Sequence, residues 1–280
     1  KENRAPRATR AARRSALVLF LGAALSGFMF LEAALAPKAD PWPRWQAFEA
    51  ASTAVIDHRP WDQFVKKYLK PGPDGVNRVA YGRLGEGGKA ALADYLDRMA
   101  KTPISLYGRP VQKAFWINLY NALTVRLIID SYPVTSIQDL DSPWYKKVIE
   151  VEGVALTLND IEHRILRPIW RDARVHYAVK CTSIGCPNLI PVAFTGGNIS
   201  QLLELAAYSY INHPRGVRIK DGNLIVSKIY AWFSEDFGGT QESVIAHLRE
   251  YAKPGLLDAL RGRNAIDDYE YDWGLNRAGS

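Results

Sequence analysis

One segment of the sequence is apolar on nearly every side of a helix. From Val111 to Tyr132 apolar side chains recur almost without interruption, and Pro110 and Pro133 stand at its two ends. A helix that is apolar all round must be covered on most of its faces, and proline suits a helix start but blocks continuation. The sequence therefore predicts a central buried helix, around which the rest of the fold packs.

Other segments show the periodicities of both helices and strands. Apolar residues at helical spacing predict helices over 84–100, 198–212 and 241–251. Alternating runs on either side of Glu152-Gly153 and of Asp221-Gly222 predict two β-hairpins, and the stretch that ends at Cys181 is expected to be a further strand. We therefore expect an α+β fold, with a helical N-terminal half packed on a mostly antiparallel sheet of about five strands.

The first 39 residues account for most of the positive charge. The formal charge of the chain is +7, and residues 1–39 hold seven basic and two acidic side chains, or +5 of it. The remaining residues carry only +2, too little for the phosphate-neutralising surface of a nucleic-acid-binding domain. We therefore expect no nucleic acid among the partners.

The same N-terminal segment has the parts of an export signal. Arginines up to Arg14 precede an apolar run, and Ala34-Leu35-Ala36 follows it. We expect residues 1–39 to be a signal peptide or an N-terminal signal anchor, residues 40–59 a linker, and residues 60–276 a single domain. The protein is then periplasmic or extracellular, or anchored in the inner membrane, with membrane contact only through residues 16–36 if the segment stays uncleaved.

Cys181 is the strongest candidate for a reactive group, because the end of a buried strand holds a side chain at the edge of a cavity. A thiol attacks as the thiolate and needs a base. His163, one turn into a helix that Asn159 would cap, is the expected base, and Arg167 shares its helical face and could orient a substrate. His176 lies five residues before Cys181, which on a strand places it on the opposite face.

Less reactive roles remain open for these residues. A lone cysteine on a strand usually packs in the core, and a disulfide between Cys181 and Cys186 suits an oxidising compartment. His163 could be an ordinary surface histidine, and Glu162 fits the third position of a helix cap that begins at Asn159. The histidines and cysteines lack the spacing of a metal site, so we expect neither a metal nor a cofactor.

Two asparagines, Asn118 and Asn121, lie three residues apart in the central helix. Buried amides need hydrogen-bond partners, so these side chains either hold loops in place or orient a ligand in a site. We favour the first role and keep both residues, with His176 and Arg167, as candidate binding or orienting residues. The aromatic segment 269–276 is expected to dock on the domain.

Five blocks of sequence resemble the DUF547 family, in the same order along the chain. They are residues 115–124, 158–163, 175–187, 227–230 with 235–237, and 271–276. The resemblance covers about residues 60–276 and implies a bacterial exported member of a family that is named for its lack of an assigned function. Plant members of the family keep the first cysteine and lose the second, which implies that Cys181 does not serve merely to pair with Cys186. Gly274 stands where the family has serine, a minor departure.

These expectations lead to two hypotheses of function, each with a small-molecule, peptide or glycan ligand. In the first, the protein is a thiol-dependent hydrolase or acyltransferase of amide or ester bonds, with Cys181 as nucleophile and His163 as base on a cysteine-peptidase-like fold. A bond to Cys186 would then inactivate it. In the second, it is a non-enzymatic envelope protein that binds a peptide or polysaccharide in an aromatic groove and uses the two cysteines as a structural pair.

Overall fold

The computed structural model describes residues 36–279. The expected signal peptide or signal anchor lies outside these residues, except for its last four positions. Within the described part of the chain, no helix combines the length and the apolar character needed to cross a membrane.

Helices dominate the fold. Within residues 36–279 there are eight α-helices: α1 (Arg59–Tyr68), α2 (Glu86–Ala100), α3 (Arg109–Ser131), α4 (Arg167–Trp170), α5 (Ile199–Ile211), α6 (Ile229–Trp232), α7 (Gln241–Tyr251) and α8 (Pro254–Leu260). A π-helical segment, Asp160–Leu166, runs directly into α4. Short 3-10 helices occur at Pro43–Gln46, Tyr81–Arg83, Ile104–Leu106, Ile137–Asp139, Ala173–Tyr177 and Ser234–Phe237.

The strands are short and form separate small sheets. They are β1 (Leu69–Pro71), β2 (Asn77–Val79), β3 (Ile149–Val151), β4 (Val154–Leu156), β5 (Val217–Lys220), β6 (Asn223–Ser227) and β7 (Asp268–Glu270). In the described residues β1 pairs with β2, β3 with β4, and β6 with both β5 and β7. Only the β6–β7 pairing is parallel, with Val226 opposite Tyr269.

The chain is thus a mixed helical and sheet protein, as an α+β fold requires. The expectation of one sheet of about five strands was wrong, and so was the cysteine-peptidase-like arrangement that depended on it. Both expected hairpins exist, with positive φ angles at Glu152-Gly153 and Asp221-Gly222. They are not joined into one sheet, because the stretch that should have linked them is not a strand.

That stretch, residues 174–181, was expected to be the third strand. Instead Ala173–Tyr177 forms a 3-10 helix whose start is capped by the carboxylate of Asp172. Val175, His176 and Tyr177 are all buried, so the alternation of apolar and polar residues here does not mark one buried and one exposed face of a strand. Residues 178–181 continue without regular structure, between the helices and the C-terminal segment.

Helix α3 is the buried centre of the fold, as its apolar pattern predicts. Phe115, Leu119 and Leu123 are fully buried in a cluster to which α1, α2 and the β3–β4 hairpin also contribute. Each large apolar side chain removed from water stabilises the fold by about 1.5–3 kcal/mol. A second cluster fills the space between α5, α7 and the β5–β6–β7 sheet. Ile190, in the loop after Cys186, packs against both clusters.

Candidate functional site

The π-helical segment supplies the first residues of the site. The turn that leads into this segment starts with a capping box between Thr157 and Asp160. The Thr157 hydroxyl accepts a hydrogen bond from the N–H of Asp160, and the Asp160 carboxylate accepts one from the N–H of Thr157, both at 2.9 Å. Asn159 makes no capping hydrogen bond, so the expected cap from Asn159 to Glu162 was wrong. Glu162 is therefore not used as a cap, and it is buried beside His163.

A cavity of about 420 Å³ lies between this segment, the loop around Cys181 and the C-terminal residues 271–273. Its polar wall includes Glu162, His163 and His176, and both cysteines also reach it. Seven aromatic side chains line it as well: Tyr120, Trp144, Tyr145, Trp232, Phe233, Tyr271 and Trp273. A cavity of this size, apolar for the most part and with a few convergent polar groups, is typical of a site for a small ligand.

His176 belongs to a buried charged network on the cavity wall. Its Nε2 lies 2.7 Å from Oδ2 of Asp236, and the guanidinium of Arg167 donates to the same oxygen at 2.5 Å. Burial alone would raise the pKa of Asp236, but the hydrogen bonds from His176 and Arg167 outweigh burial and hold that pKa well below its usual range. Asp236 is therefore ionised, and it fixes the ring of His176, which also stacks on Phe233.

His163, the base expected from the sequence, is held in its neutral form. Burial lowers its pKa to about 4, although the nearby carboxylate of Glu162 acts in the opposite direction. Arg167 donates from Nη1 to Nδ1 of His163 at 3.0 Å, which assigns the ring proton to Nε2. That Nε2 lies 3.9 Å from the Glu162 carboxylate. At neutral pH His163 is thus a neutral imidazole and a weak base.

Cys181 and Cys186 form a disulfide bond, with their Cα atoms 6.2 Å apart. The hydroxyl of Tyr271 lies 2.8 Å from Sγ of Cys181 and 3.2 Å from Sγ of Cys186. The N–H of Cys181 donates to Sγ of Cys186 at 3.0 Å. A bonded sulfur is not a thiolate, so Cys181 in this state is not a nucleophile. After reduction, the same donors would stabilise a thiolate on either sulfur.

The loop between the two cysteines packs tightly on the C-terminal segment. The N–H of Ile184 donates to the carbonyl of Gly274 at 2.7 Å, and the N–H of Gly185 donates to the carbonyl of Asp272 at 2.8 Å. A Cβ on residue 185 would lie 2.8 Å from the backbone nitrogen of Asp272, so only glycine fits there. This contact holds Tyr271 and the disulfide on the same side of the cavity.

Residues 104–211 match the model of the DUF547 family, which is described as a protein of unknown function. The resemblance to the DUF547 family is thus confirmed over residues 104–211. The match includes α3, the π-helical segment, both cysteines and all of α5. No curated protein and no solved structure matched the chain.

The site contains some, but not all, of the residues that the sequence singled out. Cys181, His163 and His176 reach the same cavity. Arg167 lies behind His163, and its side chain is occupied by Asp236, His163 and the carbonyl of Pro37, so it is not free to hold a substrate. His176 was placed on the face opposite Cys181 on the assumption of a strand, and that placement was wrong because residues 173–177 are helical.

The two asparagines of α3 hold backbone segments. Asn118 accepts from the N–H of Phe194 and donates to its carbonyl, at 3.1 and 2.7 Å. Asn121 donates to the carbonyl of Ala178 and accepts from the N–H of Lys180, at 2.9 and 2.7 Å. Asn121 thereby positions the chain immediately before Cys181.

Sequence reasoning did not select Glu162, Asp236 or Tyr271 for the site. Glu162 was assigned to a cap, a role that Asp160 fills in its place. Asp236 and Tyr271 both lie in blocks that resemble the family, and that resemblance was the one signal that could have found them. Among the described residues, no group of three or more histidine, cysteine, aspartate or glutamate side chains is arranged to hold a metal ion.

Proposed function

We propose that this protein is a thiol-dependent hydrolase or acyltransferase of amide or ester bonds, with Cys181 as its nucleophile once the bond to Cys186 is reduced. The observation that supports this function is the shared cavity, whose wall includes Cys181, His163 and His176. Nucleophilic catalysis of this kind needs a thiol, a base, and a group that orients the base.

In this proposal His176 takes the role of base that the sequence favoured for His163. Asp236 engages Nε2 of His176 and leaves Nδ1 available to take a proton, which is the relation between a catalytic histidine and its orienting carboxylate. Nδ1 lies 3.9 Å from the Glu162 carboxylate. Burial lowers the pKa of His163 to about 4, so His163 is a weak base at neutral pH.

The reaction would proceed in two stages. First, a thiolate of a dithiol reductant attacks Sγ of Cys186 and expels Cys181 as a thiolate; the second thiol of the reductant then resolves the mixed disulfide, so the reductant leaves oxidised. Second, Cys181, reprotonated by solvent, gives its thiol proton to Nδ1 of His176, and the resulting thiolate attacks the substrate carbonyl carbon. The leaving amine or alkoxide then takes that proton from His176. Water or another acceptor, deprotonated by His176, releases the acyl group from the thioester.

The test is the reactivity of Cys181 after reduction. With dithiothreitol present, iodoacetamide should modify Cys181 rapidly near pH 7 in the Cys186→Ser variant, at least tenfold faster than it modifies Cys186 in the Cys181→Ser variant. Incubation with p-nitrophenyl acetate should leave an acetyl group on Cys181, detected by mass spectrometry of the intact protein and its peptides. Equal, slow alkylation of both cysteines and no acetyl adduct would contradict the proposal.

The location of this chemistry is part of the proposal. Because residues 1–39 have the parts of an export signal, we place the protein in the periplasm or outside the cell, or anchored in the inner membrane through residues 16–36. The substrate would be a small molecule, a peptide or a glycan, without nucleic acid as a partner. In that oxidising setting the disulfide is the resting state, and a dedicated reductant activates the enzyme.

A second candidate function is supported by the aromatic wall itself. Flat rings at a cavity are suited to peptide side chains and sugar faces, so the protein would bind such a ligand without chemistry, with the disulfide as a structural element. The alkylation experiment separates the two functions, since a purely structural pair should show slow modification of both cysteines after reduction.

A further inference from the structure

The charged side chain on the described part of the cavity wall is acidic. Glu162 is the acidic side chain on that wall, and the described residues lining it include no lysine or arginine. Arg167, directly behind the wall, is neutralised by Asp236. His163 is neutral at pH 7, because burial lowers its pKa to about 4. The cavity therefore presents the buried carboxyl group of Glu162 to whatever enters it.

Four aromatic rings on the same cavity wall form a compact group. Trp232, Tyr271 and Trp273 contact one another, with ring centroids 4.8–5.5 Å apart, and Trp144 meets Trp273 at 6.1 Å. All four side chains are partly exposed, so they offer ring surface to a ligand. Aromatic faces attract cations through the ring quadrupole, and the attraction grows when the cation is removed from water.

We infer that this cavity binds the positively charged group of a ligand, a primary or quaternary ammonium, against the Glu162 carboxylate and the rings of Trp232, Tyr271 and Trp273. The inference rests on the proposed function only in taking the cation to be part of the acyl substrate, which would then be an amide or ester that carries an ammonium group. Binding itself needs no free thiol.

An anionic ligand does not fit these observations. Its charge would face Glu162 inside a cavity where water is displaced and like charges repel more strongly than at the surface. A neutral ligand would use the rings alone, whereas an ammonium group supplies a counter-charge to the carboxylate and also contacts the rings. Arg167 cannot supply that counter-charge, because its guanidinium is held by Asp236, His163 and the carbonyl of Pro37.

The test uses two probes of the same shape and different charge: choline, and 3,3-dimethylbutan-1-ol, in which carbon replaces the nitrogen. Binding of each to the oxidised full chain is measured by calorimetry and by tryptophan fluorescence. Choline should bind at least about tenfold more tightly than the neutral alcohol. Glu162→Gln should weaken choline binding about tenfold and leave the alcohol unaffected, whereas Trp232→Leu should weaken both.

Two controls keep the result interpretable. Glu150→Gln removes an exposed carboxylate on β3 and changes the net charge equally, so it should leave choline binding unchanged. Thermal melts of every variant establish that it is folded. Equal affinity for both probes, no binding of choline up to 50 mM, or choline binding that is insensitive to Glu162→Gln would each overturn the inference.

The oxidised protein has no free thiol at Cys181, so this experiment is independent of the acyl-transfer test. Choline binding without rapid alkylation of reduced Cys181 would support the cation site and contradict the proposed acyl transfer. Rapid alkylation of reduced Cys181 without selective choline binding would support the proposed acyl transfer and contradict the cation site.

Discussion

At the scale of single residues, burial of histidine ties the stability of the fold to pH. His58 is 3% exposed, and its Nδ1 pairs with the hydroxyl of Tyr95 at 2.8 Å. Burial lowers the pKa of His58 to about 4, although Asp57 acts against it. The unfolded chain, with a histidine pKa near 6.5, therefore takes up this proton first. The stability that neutral His58 contributes is complete above pH 6.5 and is lost as the pH falls towards 4.

We predict that His58→Gln flattens this pH dependence. Glutamine does not titrate and can keep a hydrogen bond to Tyr95, so the variant should lose less stability between pH 7 and pH 4 than the wild type, by on the order of 2 kcal/mol. Urea unfolding at several pH values measures the difference. The reference is pH 8, where His58 is neutral in both the folded and the unfolded chain. Parallel profiles for the two proteins would contradict the assignment.

Asp236 has two separable roles, as counter-ion of Arg167 and as orienting group for His176. The Arg167 side chain is 2% exposed, so Asp236→Asn leaves a buried cation without its partner and should cost about 3 kcal/mol of stability. Adding Arg167→Met removes that cation and should recover part of the loss. Urea unfolding of the single and double variants measures both effects.

The orienting role of Asp236 has a different signature. In both variants His176 lacks its carboxylate, so alkylation of reduced Cys181 at pH 7 should be at least tenfold slower than in the wild type, even where stability has recovered. Wild-type alkylation rates in Asp236→Asn would show that Asp236 acts only as a counter-ion.

At the scale of elements, helix α3 positions the loop that carries Cys181. Asn121→Ala would leave the N–H of Lys180 and the carbonyl of Ala178 without their partner, both in the protein interior. We predict a loss of about 2 kcal/mol or more, together with faster hydrogen exchange at the Lys180 amide. Thr124→Val is the matched control on the same helix, because the Thr124 hydroxyl donates only to the carbonyl of Tyr120 one turn earlier. If both variants lose the same stability, Asn121 does not hold the loop.

The helices could be predicted from the sequence because their signals are local. The apolar pattern and the flanking prolines gave α3 within two residues, and the predicted helix over 241–251 coincides with α7. The two hairpins followed from turn residues that accept positive φ angles. Each of these signals lies inside the element that it specifies.

The residues around the cavity could not be predicted in the same way. The stretch 174–181 alternates as a strand does, but its backbone bonds to the side chain of Asn121, which lies more than fifty residues earlier in the chain. Thr157 with Asp160 and Asn159 with Glu162 are both capping patterns at the same spacing, and the structure uses the first. The sequence holds no local signal that decides between them, and that choice determines whether Glu162 faces the cavity.

At the scale of the whole molecule, the C-terminal segment joins parts of the chain that are distant in sequence. Asn276 donates its N–H to the carbonyl of Thr182 and accepts from the N–H of Val79, both at 2.8 Å. The same residue accepts a hydrogen bond from the hydroxyl of Tyr81 at 3.0 Å. The segment thus connects the N-terminal hairpin, the disulfide loop and the cavity wall, and it does so through contacts that do not involve the disulfide.

The disulfide loop is held by α5 and its following turn as well as by the C-terminal segment. The hydroxyl of Tyr210 donates to the carbonyl of Gly185 at 2.6 Å, and Arg215 donates to the carbonyl of Ile184 at 3.0 Å. With the bonds from Ile184 and Gly185 to the C-terminal carbonyls, four hydrogen bonds hold two consecutive residues of the loop. We therefore expect the loop to keep its conformation when the disulfide is reduced.

We predict that reduction costs little stability and leaves the fold intact. A disulfide that closes so short a loop restricts the unfolded chain modestly, so dithiothreitol should lower the free energy of unfolding by about 2 kcal/mol at most. The Cys186→Ser and Cys181→Ser variants should remain folded, each with a free energy of unfolding lower by a similar amount. Adding reductant should lower the free energy of unfolding of these variants no further. Urea unfolding with and without dithiothreitol provides the measurement. A loss well above this in both variants would mean that the fold depends on the bond, and a reduced enzyme would then have no stable structure in which to act.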